Sequence, residues 1–183
     1  ASSSDFSPNY ENFYFTTGHE MCHQLSGLHS WNYCPGNEGS LNPGGAFEPG
    51  SGSTIMSYTT ACGAQNNIQF QEDPYFHLGN IIQVKNFVAQ GDGNLCGESL
   101  DTDNNTPTAS TDIPATGLYL PISTPFTLTG SGSDTDGDIL TYCWEQYDLG
   151  DSNPLGSPEG DSPTFRSYLP VSTPDRTFPR IQT

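Results

Sequence analysis

Basic residues are scarce in this chain: its 183 residues include four Lys and Arg against 21 Asp and Glu, for a formal net charge of -17. A surface this negative repels phosphate backbones and anionic lipids, so we expect neither nucleic-acid binding nor peripheral membrane attachment. No run of about 18 apolar residues occurs, so no membrane span is expected either. Such a surface suits a soluble protein that meets divalent cations.

Closely spaced cysteine pairs are also missing, because none of the five cysteines stands in a C-x-x-C motif. This argues against a cysteine zinc site and favours disulfides, hence a secreted, extracellular or cell-surface protein. Cys34 and Cys62 flank one glycine-rich region and are expected to pair. Cys22 with Cys96 is a second candidate pair, although Cys96 equally suits a partner upstream of the chain. Cys143 is the expected buried free thiol.

The chain divides near residue 100, and its first part is expected to hold two helices. The 20 Gly and 15 Pro imply many turns and few helices. The first helix is predicted from Asn9 to about Ser26, with Ser7-Pro8 as its start signal. The second is predicted within PYFHLGNIIQVKNFVAQG, after a turn-rich region at residues 30–74.

Residues 100–112 are predicted to form a linker, since Asp101–Ser110 contains no large apolar residue. From 113 to 183, short segments of β-propensity alternate with Gly, Asp and Pro turns: GLYLPI, FTLTGSGS, ILTYCWEQY and TFRSYLP. This pattern predicts a small antiparallel β-sandwich, with Trp144 as its buried aromatic residue. The fold class expected for the whole chain is therefore α+β.

Three of the four histidines lie within GHEMCHQLSGLH, residues 18–29. On a helix, His19 and His23 are about 40° apart around the axis, so both imidazoles can bind one metal ion. Glu20 points to the side of that face, where it can reach a metal-bound water as general base. His29 can join them only if the helix breaks, and Gly27 is expected to supply the break in the left-handed conformation.

Three neutral imidazoles with one open coordination position are typical of catalytic zinc sites. Zinc lowers the pKa of a water in that position and polarises a carbonyl group, which suits amide hydrolysis. The alternative is that HExxH is a chance string on an ordinary amphipathic helix, but a third histidine at this offset argues against it. The sequence therefore predicts Zn²⁺ as cofactor, bound by His19, His23 and His29, and a polypeptide substrate.

HEMCHQLSGLH resembles the extended zinc signature HExxHxxGxxH of the metzincin metallopeptidases, and STIMSY, Ser53–Tyr58, resembles their Met-turn. EPGSGSTIMSYTTACG and DPYFHLGNIIQ are most similar to secreted bacterial reprolysin-like (adamalysin-like) proteases. DTDGDILTYCWEQ and FRSYLP resemble the immunoglobulin-like domain that often follows such catalytic domains. The resemblance implies the C-terminal part of a metzincin catalytic domain at 1–99, with zinc helix, Met-turn and C-terminal helix, and an immunoglobulin-like β-sandwich at 113–183.

Carried over residue by residue, the resemblance implies that the three histidines are zinc ligands and Glu20 is the general base. Met56 matches the Met-turn methionine, which lies beneath the metal without binding it. Tyr58 matches a tyrosine that in astacin- and serralysin-like relatives ligates zinc or stabilises the oxyanion. A plain core methionine and a tyrosine packed in a wall are the alternatives. Thr59–Gln71 would line the pocket for the residue after the scissile bond.

The chain departs from the family in two respects. Ser26 stands where the family has glycine, with Gly27 one place later, so the helix is expected to end one residue late and His29 to approach differently. Only about eighteen residues precede His19, so the upper subdomain, with the edge strand that aligns substrate, is expected to be absent from 1–99. We interpret the chain as a processed fragment or one piece of a longer protein.

Two further candidates lie outside the histidine motif. His77 stands just before the second helix, where capping or packing is favoured over metal binding. Asp134, Asp136 and Asp138 can bind Ca²⁺ through their carboxylates. Their spacing is not that of an EF-hand loop, so an exposed hairpin turn carrying Gly137 is the favoured interpretation.

The sequence thus favours a secreted zinc-dependent endopeptidase that hydrolyses peptide bonds through a zinc-bound water activated by Glu20. The alternative from another class is a non-catalytic cell-surface or filament binding protein that keeps a degenerate protease fold. Retention of all three histidines together with Glu20 argues against this alternative. The β-sandwich is a candidate for attachment to a cell surface or matrix.

Overall fold

The computed structural model describes residues 10–179, which form two compact units. The first unit takes in the chain up to Glu98 together with Glu145–Tyr168. The second takes in Ser99–Trp144 and the chain from Leu169 onward. Each unit is therefore built from segments that are distant in sequence.

Helix α1 runs from Tyr10 to Gln24, close to the predicted bounds. The predicted start signal at Ser7-Pro8 lies outside the described residues. The helix contains the HExxH motif, so His19 and His23 project from successive turns of its C-terminal half.

The C-terminus of α1 is closed by two backbone hydrogen bonds. The amide of Ser26 donates to the carbonyl of His23 at 3.1 Å, and the amide of Gly27 donates to that of Cys22 at 2.8 Å. This is the Schellman arrangement, and its left-handed residue is Ser26, with φ 68°. The predictions that Gly27 supplies this break and that the helix ends one residue late are therefore wrong. Gly27 is needed for space, since a Cβ there would lie 2.1 Å from Cys22 Sγ.

Helix α2 spans Leu78–Gln90, with Gly91 as its C-cap, as predicted. His77 is the N-cap: it is buried, and its Nδ1 accepts a hydrogen bond from the amide of Gly79 at 3.1 Å. The capping role expected for His77 is confirmed. The first helical amide, that of Leu78, donates to Glu145 Oε2 at 2.7 Å, which places a carboxylate at the positive end of the helix dipole.

The turn-rich region between the helices surrounds a small apolar core. Buried Trp31, Cys34 and Cys62 form its centre, with Leu41 and Tyr58 packed against them. Cys34 and Cys62 are joined by a disulfide, so this predicted pairing is confirmed. Cross-linking residues 28 positions apart stabilises the fold by about 3 to 4 kcal/mol on the chain-entropy model.

The second candidate pair, Cys22 with Cys96, is not formed. Cys22 is a free thiol buried against Gly27, whereas Cys96 is a free thiol at the surface. Burial raises the pKa of the Cys22 thiol to about 11. The thiol therefore stays protonated and unreactive at neutral pH.

The segment 145–168 packs within the first unit, although the sequence assigns it to the β-sandwich. The ring of Tyr147 stacks on that of Phe47, with centroids 5.1 Å apart. Ser152 Oγ donates to the carbonyl of Asn32 at 2.6 Å. TFRSYLP does not form the predicted strand. Most of it belongs to the first unit, which β-propensity alone does not reveal.

The second unit contains a three-stranded antiparallel sheet in the order β1–β2–β3. Its strands are β1 (Thr108–Thr111), β2 (Phe126–Ser133) and β3 (Asp175–Phe178). Strand β2 matches the predicted FTLTGSGS, and its side chains alternate between half-buried and exposed. Strand β1 lies inside the predicted linker, so that prediction is wrong here. Its sequence TAST has no large apolar residue, and hydroxyl groups join it to β2, as Ser110 pairs with Ser131 at 2.8 Å.

The other predicted strands, GLYLPI and ILTYCWEQY, do not form, and Tyr142 makes one isolated bridge with Val171. Among the described residues the second unit thus has one sheet in place of the predicted sandwich. Trp144 is half-buried, with its indole N–H donating to the carbonyl of Pro174 at 2.7 Å. Cys143 is exposed, so its predicted burial is wrong.

The observed helices and the small antiparallel sheet confirm the α+β class. Over residues 10–179, no helix combines the length and apolar character needed to cross a bilayer.

Candidate metal centre

The three histidines of the motif converge at one point. His19 and His23 come from α1, and His29 comes from the chain after the left-handed turn at Ser26. The Nε2 atom of His23 lies 3.2 Å from that of His19 and 3.0 Å from that of His29. The structure therefore brings all three predicted ligands together.

Each of these imidazoles is oriented by a hydrogen bond between Nδ1 and a backbone carbonyl oxygen, 2.8 Å long in all three cases. The acceptors for His19, His23 and His29 are the carbonyls of Ile55, Gly27 and Ser40, respectively. A carbonyl oxygen can only accept, so Nδ1 carries a proton in each ring, and a ring in its neutral form presents a bare Nε2 lone pair. The short Nε2 separations are therefore not hydrogen bonds between rings. Three lone pairs this close favour a shared cation.

The donor set fits zinc. Zn–N bonds of about 2.0–2.1 Å at tetrahedral angles place ligand nitrogens roughly 3.3–3.4 Å apart. The observed separations of 3.0 and 3.2 Å are close to this requirement. Carbonyl acceptors behind the ligating nitrogens are also the usual way in which metal-binding histidines are oriented. His19, His23 and His29 can thus hold a metal ion.

Burial lowers the pKa of His19 and of His29 below the ordinary value of 6.5. The hydrogen bonds to backbone carbonyls oppose this shift, and the neighbouring ring of His23 adds to it. Both rings therefore remain neutral at neutral pH, which is the form that binds metal. Below about pH 6.5 the unfolded chain takes up protons that these folded rings resist, so stability falls as the pH decreases.

Glu20 lies beside the histidines without belonging to their donor set. Its side chain is exposed, and together with His19 it lines an open cavity of about 570 Å³. A carboxylate in this position can exchange protons with a molecule in the cavity. Such a carboxylate would not compete with the three imidazoles for a metal ion.

Met56 and Tyr58 both lie on the predicted Met-turn but differ in their surroundings. Met56 is fully buried, and its carbonyl accepts a hydrogen bond from the amide of Ser30 at 2.9 Å. Tyr58 is half-buried, and its ring centroid lies 4.5 Å from that of His29. Tyr58 is thus a direct neighbour of the histidine cluster, and Met56 anchors the chain next to His29.

Glu48 is a candidate functional residue that the sequence analysis does not find. It is 1% exposed, and its carboxylate accepts hydrogen bonds from the hydroxyls of Ser30 (2.6 Å), Ser53 (2.9 Å) and Thr54 (2.6 Å). The amide of Ser53 also donates to it, at 2.9 Å. Because Ser30 directly follows His29, this carboxylate ties the third histidine to the start of the predicted Met-turn. The hydroxyl residues in EPGSGST are the available sequence signal for such donors.

Two side chains of α2 hold the backbone just before His29. Asn80 Nδ2 donates to the carbonyl of Leu28 at 2.7 Å, and the amide of Leu28 donates to Gln83 Oε1 at 2.9 Å. Both backbone groups of Leu28 are therefore fixed by one helix. Asn80 and Gln83 are three residues apart, which puts their side-chain amides on one face of α2. This spacing is the sequence signal that could have identified them.

The three aspartates considered as calcium ligands, for which an exposed hairpin turn was the favoured interpretation, form a second group that can hold a cation. Asp134 Oδ1 accepts from the amides of Asp136 (2.7 Å) and Asp138 (3.3 Å). Hydrogen bonds from Asn105 lower the pKa of the Asp136 carboxyl. Gly137 has φ 83°, as a turn requires. The predicted turn is confirmed, but within the described part of the chain no strand directly follows it to complete a hairpin.

Comparison with known proteins bears on the first unit. Residues 1–87 match a family model described as metallo-peptidase family M12B, reprolysin-like. The match supports a metallopeptidase at the level of the family, and peptidases of this family use zinc and act on polypeptides. No curated protein and no solved structure matches the chain.

Proposed function

We propose that this chain carries the metal-binding centre of a secreted, zinc-dependent endopeptidase of metzincin type. One observation carries the proposal: three neutral imidazoles converge through bare Nε2 atoms beside an exposed carboxylate, that of Glu20, at an open cavity. The match of residues 1–87 to reprolysin-like metallopeptidases supports it.

In this proposal, His19, His23 and His29 are the zinc ligands. Zinc, when bound, supplies a Lewis acid that polarises the scissile carbonyl group and makes a nearby water more acidic. Glu20 accepts the proton of the attacking water and delivers it to the leaving amine. Its exposure on the cavity wall supports both transfers, because water and substrate reach the carboxylate from the same side.

Tyr58 and Met56 have supporting roles in the proposed reaction. Tyr58 lies against His29, and we assign its hydroxyl to the developing oxyanion of the scissile bond. Met56 is fully buried and keeps the Met-turn in place beneath the histidines. The carbonyl of Ile55, on the same turn, orients His19.

We also propose that the enzyme works outside the cell. The Cys34–Cys62 disulfide supports an oxidising compartment. Residues 113–183, whose sequence resembles an immunoglobulin-like domain, are then the part that attaches the enzyme to a cell surface or matrix.

The test is the substitution Glu20→Gln in the full-length protein. Glutamine keeps nearly the same size but cannot accept the proton, so peptide cleavage should fall at least about a hundredfold. Zinc content and melting temperature should stay unchanged, because Glu20 is not a ligand. Glu98→Gln, which removes one exposed carboxylate from the same unit, is the matched control and should cleave like wild type.

Equal cleavage by Glu20→Gln and wild type would overturn the proposed mechanism. If wild type loaded with zinc cleaves no member of a peptide library, the protease proposal fails. The non-catalytic binding protein with a degenerate protease fold then takes its place.

A further inference from the structure

The cavity beside His19 and Glu20 has walls of two kinds. Phe15, Ile55 and Phe70 give it apolar sides. Phe70 is 84% exposed, so a large aromatic face is open to any molecule that enters. Apolar sides of this kind suit the methylene groups of a long side chain.

The polar part of the cavity wall is acidic. Glu72 lines it, as does Glu20, and no Lys or Arg is among the described residues that line it. Glu72 is half-buried, which leaves its charge less screened than at an open surface. A positively charged group entering this cavity would therefore be attracted by both carboxylates.

Glu72 is held in a defined position. The hydroxyl of Thr59, a buried residue, donates to Glu72 Oε1 at 2.5 Å. A carboxylate has about four lone-pair directions, so this bond leaves acceptor capacity for a ligand. The side chain is thus pre-positioned, and a ligand would not need to order it on binding.

Arg166, a positively charged residue of the same unit, donates its described hydrogen bonds to groups other than Glu72. Arg166 donates to Gln69 at 2.5 Å and to Asp73 at 3.4 Å, and both acceptors line an adjoining cavity that shares Glu72 with this one. Burial raises the pKa of the Asp73 carboxyl, and the charge of Arg166 opposes this shift. Arg166 therefore partners Asp73, whereas the described hydrogen bond of Glu72 comes from a neutral hydroxyl.

We propose that this cavity selects substrates with Lys or Arg at the residue directly after the scissile bond, and that Glu72 is the residue that determines this specificity. The inference rests on the proposed function, because the cavity opens beside His19 and Glu20 and is lined by part of Thr59–Gln71, the segment that the sequence resemblance assigns to the residue after the scissile bond. Its methylene groups would lie along Phe15, Ile55 and Phe70, and its charged end would reach Glu72. The substrate class is thus a polypeptide with a basic residue at the cleavage site.

The experiment uses zinc-loaded full-length protein and a set of fluorogenic peptides that differ only at the residue after the scissile bond: Arg, Lys, Gln, Leu or Glu. We expect kcat/KM for Arg and Lys to exceed that for Gln by about tenfold, as for one charge-assisted hydrogen bond at a partly solvated site. The Glu peptide should be the poorest substrate. Glu72→Gln should lower kcat/KM for Arg and Lys about tenfold and leave the Leu peptide unchanged. Glu98→Gln, the matched control for net charge, should keep the wild-type order.

A binding measurement separates failure of this inference from failure of the proposed function. The probes are the amides of N-acetyl-arginine and N-acetyl-leucine, whose binding to wild type and Glu72→Gln is followed by NMR or calorimetry. Cleavage without preference for basic residues overturns the specificity and leaves the protease standing. No cleavage, but arginine-amide binding that Glu72→Gln weakens about tenfold, supports the basic-residue site and rejects the protease. Equal binding of both amides in a protein that cleaves nothing rejects both.

Discussion

Among residues 10–179, two groups of three residues can hold a cation, and they differ in what positions them. The imidazoles of His19, His23 and His29 are each fixed through the second ring nitrogen by a carbonyl from another turn or loop. The carboxylates of Asp134, Asp136 and Asp138 lie on one turn and accept hydrogen bonds mainly from its own backbone or from Asn105.

The aspartates are merely close together, whereas the histidines are pre-organised to bind a metal ion. The aspartates come together because the turn is short, and amides already use part of their acceptor capacity. The histidines leave their ligating atoms bare, and the bonds that orient them come from residues up to 36 positions away. A metal ion would therefore find the histidine geometry ready, but would have to compete with backbone amides for the aspartates.

The largest effect is expected when one candidate ligand is removed from each group in turn. His23→Ala should reduce zinc affinity by more than about a hundredfold, beyond the 10–100-fold typical of changes to outer partners. Asp136→Asn should leave zinc content at about one per chain. Elemental analysis of protein purified without chelators measures both. If His23→Ala retains its zinc, or if Asp136→Asn loses it, the metal is not bound by the histidines and this assignment fails.

A second prediction concerns the buried carboxylate behind the histidines. Glu48→Gln replaces an acceptor of several buried donors by an amide, so unfolding free energy should fall by roughly 2 to 3 kcal/mol. Zinc affinity should fall about tenfold as well, because Ser30 and the Met-turn lose their common anchor. Urea unfolding of metal-free protein and a competition titration with a zinc chelator measure the two effects.

Glu38→Gln is the matched control for that change. The Glu38 carboxylate also accepts a backbone hydrogen bond, from Gly36 at 2.9 Å, but it is exposed. Substituting Glu38 should change neither the free energy of unfolding nor the free energy of zinc binding by more than about 0.5 kcal/mol. If Glu48→Gln lowers stability and leaves zinc affinity unchanged, Glu48 supports the fold alone and does not position the ligands.

The smallest predicted effect compares the left-handed residues of the two groups. Gly137, at the aspartates, adopts its φ of 83° without cost, whereas Ser26, before the third histidine, adopts φ 68° with a side chain. Ser26→Gly should therefore stabilise the fold by up to about 1 kcal/mol, with zinc content unchanged. Gly27→Ala should destabilise it, because the added Cβ meets Cys22. Denaturant unfolding measures the stability of both variants. If Ser26→Gly is less stable than wild type, the left-handed backbone of Ser26 is not strained.

How much of this was readable from sequence depended on the range of the interaction. Four-residue spacing put His19 and His23 on one helix face, and the glycine-rich region placed Cys34 near Cys62, so both predictions succeeded. The convergence of His29 was expected from its offset and the motif, but the choice of Ser26 over Gly27 as the left-handed residue was not. That choice follows from the fit of Gly27 against Cys22, which spacing does not encode.

Partners supplied from far along the chain were not readable. Glu48 stands in a loop without periodicity, and its donors became visible only when Ser30 and Thr54 were placed around it. Strand β1 has no large apolar residue to mark it, since hydroxyl pairs join it to β2. Likewise, Tyr147 reads as part of a strand until its ring is seen on Phe47.

The packing of segment 145–168 in the first unit has a consequence for how the protein is made. Asn32 and Ser152 meet across 120 positions of sequence, so the unit cannot complete its packing until the segment 145–168 has left the ribosome. Contacts of such long range slow folding, because the loop must close before they contribute. During that interval Phe47 lacks the ring of Tyr147, and the nascent chain exposes an apolar surface that favours aggregation or the binding of chaperones. The order of synthesis therefore places the metal ligands first and the last packing element of their unit more than a hundred residues later.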